Sequence, residues 1–201
     1  RRHVAEVECG FGHTAGRSPG RRQWLSPNRF GPRNSVWFIG RPLSRSGMTG
    51  SDFDAFDHES HMREAFALAR EAAERGDRPF GSVLVRDDEV VMRESNRVLT
   101  ADDIRRHPEL HLAHRACREF DAAERADTVM YTSTEPCPMC AGGMANAGFG
   151  RVVYSVGGDE IVEFTGGEPS TRAATVLDGT TDVVGPVLND EGRAVHEEFD
   201  W

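Results

Sequence analysis

Cys137-Pro138-Met139-Cys140 places two thiols three residues apart at what reads as a helix start. Both sulfurs can face one divalent ion there, and a helix N-terminus lowers a thiol's pKa toward thiolate. The pair alone could also be half of a zinc ribbon, or a redox couple. A ribbon needs a second pair, which neither Cys9 nor Cys117 supplies, and a redox couple usually follows the first strand of its fold, whereas this one comes late. A third ligand should then be a histidine, with the fourth position left to water. His107, His111 and His114 stand on or beside the preceding helix. Hydrolysis by zinc-activated water needs a carboxylate to move protons, and that carboxylate must not itself be a ligand. Only His107 has an acid two residues on, Glu109; after His111 and His114 the same place holds Ala113 and Ala116. These spacings predict His107, Cys137 and Cys140 as zinc ligands and Glu109 as proton shuttle. His111 and His114 are expected to face solvent or to lie behind the site.

Helices and strands must bring these positions together. Met62, Ala65, Phe66, Ala69, Ala72 and Ala73 recur at three and four, which predicts a helix from His58 to a stop at Gly76. Ser82–Val85 and Glu89–Arg93 flank Asp87-Asp88 and read as a hairpin. A second helix runs from Pro108 to Phe120, with Leu110, Leu112, Ala113, Ala116 and Cys117 inward; Pro108 fits the first helical position. Then come a strand over Thr128–Ser133, a short helix from Pro138 to Ala147 and a strand over Arg151–Val156. A turn-rich loop over Thr165–Ala174, a last strand over Val183–Leu188 and a last helix over Asp190–Phe199 complete the reading. That order predicts an α/β layered sheet.

The 201 residues suggest one domain, two at most, and can bury a core without disulfides. No apolar run approaches the ~18 residues of a membrane-spanning helix. Net charge is -9, divided unevenly: residues 1–47 hold nine Arg and two acids, and residues 48–201 fifteen Arg and 31 acids. An acidic body repels phosphate backbones unless it hides a basic groove. Acid-rich composition with no Lys at all fits either adaptation to high salt, which screens self-repulsion, or a GC-rich genome. Seven Gly and four Pro lie within residues 1–47, and residues 1–50 show no lasting period, which predicts a disordered extension, with Met48 as the natural start and residues 51–201 as the folded domain. Four cysteines and no secretory signal suggest a cytoplasmic setting.

His-x-Glu followed thirty residues later by Pro-Cys-x-x-Cys resembles the signature of the zinc-dependent cytidine/deoxycytidylate deaminase superfamily. Arg78-Pro79-Phe80-Gly81-Ser82-Val83-Leu84-Val85 is similar to its first-strand motif, and Tyr131-Thr132-Ser133-Thr134-Glu135-Pro136-Cys137 to the strand-to-helix junction of its guanine deaminase and tRNA adenosine deaminase branches. The likeness covers about residues 58–156. It departs at Pro108, where the superfamily usually has Ala or Val, and at Asp103-Ile104-Arg105-Arg106, where many members have Asp-Pro-Thr-Ala. The resemblance implies a three-layer α/β/α cytidine deaminase-like fold with a mixed central sheet, bound Zn2+ and a homodimer. It further implies substrate contacts at Asn96, Ser82 and Phe80. The activity implied is hydrolytic deamination of a nucleobase or nucleoside, with a purine such as guanine first. Adenosine in tRNA comes second and cytosine or cytidine third. A zinc-stabilised binding module is the competing class, and the intact Glu109 argues against it.

Overall fold

The computed structural model describes residues 52–201. The expected N-terminal extension, Cys9 and the proposed start at Met48 lie outside the described residues. Five strands form one sheet: β1 (Gly81–Arg86), β2 (Glu89–Ser95), β3 (Val129–Thr134), β4 (Arg151–Val156) and β5 (Asp182–Val184). Their order is β2-β1-β3-β4-β5, with β1 antiparallel to both β2 and β3, and the β3–β4 and β4–β5 pairs parallel. The sheet is therefore mixed. The β1–β2 hairpin turns on Asp87 and Asp88, both at positive φ, the left-handed geometry that a two-residue hairpin needs. Asp88 is held there by the Asp57 N–H and the His61 ring.

Helices cover both faces. Helix α1 (His58–Glu74) buries Met62, Ala65, Phe66 and Ala69 against Val83, Val85 and Tyr131, and Val195 of α8 (Asn189–Glu197) joins that cluster. On the other face, α3 (Pro108–Glu119), α5 (Pro138–Ala147) and α7 (Ala173–Leu177) pack Leu112, Ala116, Met144 and Leu177 against Leu84, Met130 and Val152. The result is the expected three-layer α/β/α arrangement. Gly81 allows α1 to sit tightly on β1, since a Cβ there would meet the Ala65 carbonyl and the Ala69 amide.

Three expectations are corrected. Cys117 is exposed, because the buried arc of α3 is Leu112, Ala113 and Ala116, and Leu110 is only half-buried. The last strand stops at Val184, since Pro186 has no N–H for a ladder. The expected loop over Thr165–Ala174 meets short helices at both ends, α6 (Ile161–Thr165) and α7. Two further short helices lay below the reach of periodicity, α2 (Val98–Ala101) and α4 (Ala122–Ala126).

Candidate active site

Helices α3 and α5 lie side by side on one face of the sheet, and each begins with proline directly after a residue of the site. His107 is the N-cap before Pro108, and Cys137 the N-cap before Pro138. Proline at the first helical position gives up no bond, because that N–H has no partner within the helix anyway. Gly143 lies at the pairing of the helices, where a Cβ would stand 2.7 Å from Leu110 Cδ1.

The structure brings His107, Cys137, Cys140 and Glu109 together. His107 Nδ1 lies 3.5 Å from Cys140 Sγ and 4.0 Å from Cys137 Sγ, and the two sulfurs are 3.5 Å apart. That sulfur separation is far beyond the ~2.05 Å of a disulfide. The spacing suits a tetrahedral cation: bonds of about 2.3 Å to sulfur and 2.05 Å to nitrogen place S···S near 3.8 Å and S···N near 3.6 Å. Among the described residues this is the one group of His, Cys and acidic side chains close enough to hold a metal ion. Glu109 stands beside it, Oε2 3.5 Å from Cys140 Sγ, and is buried.

The electrostatics of the four groups are uneven. The neighbouring Cys140 sulfur, then the His107 ring, hold the Cys137 thiol down to about 4 against the effect of burial. Contact with Cys137 and burial push Cys140 up. Contact with Cys137 raises His107 above its ordinary value. Burial pushes the Glu109 carboxyl up, and the His107 ring opposes it.

A cavity of about 220 Å³ opens onto this cluster, with His107, Glu109 and Cys137 on its floor and Phe80 on its side. Its far wall comes from the segment after β4, with Ile161, Val162, Glu168, Ser170 and Thr171, and Glu135 and Arg172 also border it. Neither Ser82 nor Asn96 lines it. Ser82 is fully buried in β1, and its hydroxyl donates to Thr132 Oγ1 at 2.9 Å; Thr132 Oγ1 in turn lies 3.4 Å from Glu109 Oε1. The Asn96 side chain donates to the Arg78 carbonyl and accepts from the Val98 amide, while its backbone N–H donates to the Phe80 carbonyl. Arg105 and Arg106 border a separate depression with Leu110, His111 and His114. There His111 pairs with Glu94 at 3.0 Å, and His114 is exposed. Sequence reasoning missed Thr132, Glu135 and Arg172. Alternation along β3 could have found the first, since Thr132 shares the α3/α5 face with Met130.

Fold and cluster together have the form of a deaminase domain. The chain belongs to the MafB19-like deaminase family, whose model matches residues 56–180. It is 38% identical over 87 residues to a guanine deaminase of Bacillus subtilis, a match covering 43% of this chain and 56% of that protein. It is 29% identical over 149 residues to a probable cytosine deaminase of Schizosaccharomyces pombe, covering 70% of this chain and 90% of the relative. A solved structure from a study of A-to-I editing by tRNA:A34 deaminases superposes with a TM-score of 0.53 at 26% identity, over 68% of this chain and 99% of that one. These likenesses place the fold with the cytidine deaminase-like proteins.

Proposed function

We propose that the protein is a zinc-dependent hydrolytic deaminase of a nucleobase or nucleoside, with a purine such as guanine as its substrate. The observation that supports this best is the buried Glu109 carboxylate, set beside a His/Cys/Cys cluster at the floor of a cavity. A purely structural zinc site has no use for such an acid. In this reading His107, Cys137 and Cys140 hold the zinc, and Glu109 is the catalytic residue. When bound, zinc supplies the Lewis acidity that brings a water's pKa to about 7. Glu109 takes a proton from the attacking water and gives it to a ring nitrogen. It then carries the remaining proton of the added hydroxyl to the departing amine, so that ammonia leaves and a keto oxygen takes its place. Its burial keeps solvent away from that transfer.

Phe80 offers an aromatic face to a planar base. Asn96 frames that ring through its bonds to the Arg78 carbonyl and from its own N–H to the Phe80 carbonyl, and Ser82 acts through Thr132 on Glu109. Guanine is favoured by the identity to the Bacillus protein and by a body with twice as many acids as arginines, which disfavours a polyanion. Adenosine in tRNA is the second reading, supported by the superposition on the tRNA:A34 deaminase structure. A cytoplasmic homodimer, a folded domain over residues 51–201 and salt adaptation complete the proposal. Among the described residues no helix is long and apolar enough to cross a membrane.

Ammonia release from guanine, adenine, cytosine, their nucleosides and a tRNA tests the reading. Release from guanine ahead of the others is expected. Release from tRNA alone would move the assignment to the second reading, and none from any of them would overturn it.

A further inference from the structure

Glu135 is one of the most deeply buried charged side chains in the protein, and the chemistry above has no use for it. Its side chain is 3% exposed. One carboxylate oxygen accepts from the Gly158 N–H at 2.8 Å and the other from the Ala173 N–H at 2.8 Å, while the Arg172 guanidinium closes an ion pair at 2.7 Å. Arg172 is itself braced by Asp159 at 2.7 Å and by the Tyr154 hydroxyl at 3.3 Å. Gly158 lacks a side chain where a Cβ would stand 3.3 Å from the Glu135 oxygen.

These bonds have a common geometry. Gly158 and Ala173 are the two ends of one segment, and a single carboxylate ties both to the end of β3. The span between them supplies Ile161, Val162, Ser170 and Thr171 to the cavity, whereas the floor comes from α3 and α5. Much of residues 166–172 is exposed and belongs to no helix or strand, so few other contacts hold it. A buried carboxylate costs several kcal/mol unless donors and a counter-charge meet it. Here each donor comes from the segment that forms the wall.

We propose that Glu135 is a positioning residue that clamps residues 158–173 as the substrate-facing wall of the cavity, and so sets how tightly the site holds its substrate. Arg172 is its working partner. The kinetic half of this inference rests on the deaminase reading; the structural half does not. Loosening the wall should weaken substrate binding while leaving the floor, where the chemistry resides, in place.

Glu135→Gln and Arg172→Gln in the zinc-loaded full chain test it by hydrogen exchange, zinc content and steady-state kinetics. Arg172→Gln touches none of the four clustered residues and decides the question by the same criteria if Glu135→Gln does not fold. Amides within 158–173 should exchange about tenfold faster or more in both variants, with the rest of the sheet unchanged. Zinc should stay at wild-type stoichiometry, and KM should rise about tenfold in Glu135→Gln while kcat falls less than about threefold. Unchanged exchange in 158–173 overturns the clamp whatever the kinetics do. Loss of zinc from both variants, or a fall in kcat as large as the rise in KM, assigns these residues to the floor instead and overturns it as well. If the wild-type protein releases ammonia from none of the candidate substrates, the deaminase reading fails, and exchange alone judges the clamp.

Discussion

Glu109 Oε2 lies 3.5 Å from Cys140 Sγ, although 31 residues separate them in the chain. Two packed helices make that meeting, each opened by a proline and each carrying its group in the first turn. Position two of α3 therefore faces position three of α5. The carboxylate is close enough to serve whatever the cluster holds, and it lies outside the group of three side chains spaced to grip an ion.

The sulfurs should be needed for the metal. Cys137→Ala should retain less than about a tenth of the wild-type zinc at pH 7 and should melt at a lower temperature, because a site of two remaining ligands loses most of its binding free energy. Elemental analysis of the purified protein checks this, and full zinc occupancy in the variant would exclude Cys137 as a ligand.

Thr132 should aim the carboxylate. Thr132→Val removes the hydroxyl 3.4 Å from Glu109 Oε1 while keeping its shape. We expect kcat to fall about tenfold with KM within about twofold, and Thr132→Ser to recover most of the rate. A Val variant as fast as wild type would show that Glu109 is positioned by packing alone.

Much of this site was legible before any coordinates, for a physical reason. Both ends of the cluster lie at helix starts, where proline, cysteine and acid leave local signatures that do not depend on the rest of the fold. The β-branched runs flanking Asp87-Asp88 likewise marked β1 and β2, and spacings of three and four marked α1 and α3. The far wall was not legible. It is a segment of short helices and exposed turns whose shape comes from long-range bonds to Glu135, and no local pattern announces them. Helix α2 is similar: four residues whose Leu99 and Thr100 amides are held by the buried Asp77 carboxylate, more than twenty residues upstream. Asn96 and Ser82, which the resemblance implies as substrate contacts, do not line the cavity, and their side chains bond Arg78, Val98 and Thr132. Helix α4 did carry a signal, since Asp121 and Glu124 form a capping box.

Gly81 explains the glycine in Pro79-Phe80-Gly81. Gly81→Ala would push a methyl group into the α1 backbone, and overpacking of that kind costs about 1–3 kcal/mol. Urea denaturation should show a loss in this range with zinc content unchanged. An equally stable variant would mean that α1 can withdraw from β1 at no cost.

His196 should make stability depend on pH. It is buried among Phe80, Phe164 and Trp201, its Nε2 is 3.0 Å from Thr134 Oγ1, and its Nδ1 has no partner among the described residues. Burial, then the Arg193 charge, lower its pKa from 6.5 to about 4. Below pH 6.5 the unfolded chain takes up a proton that the folded one refuses, so stability falls as pH drops, by about 3 kcal/mol by pH 4. Below that both forms are protonated and the effect levels off. His196→Gln should flatten the pH dependence of the unfolding free energy between pH 6.5 and 4. Parallel curves for the two proteins would place the proton elsewhere.

The most direct test of the central claim is ammonia release from guanine by the zinc-loaded protein and by its Glu109→Gln variant, with zinc content measured on the same samples. Glu109→Gln should keep its zinc and lose about a thousandfold or more in kcat, as expected when a shuttle acid is removed. A Glu109→Gln protein that holds zinc and turns over within about tenfold of wild type would contradict the assignment of this carboxylate as the group that moves the protons.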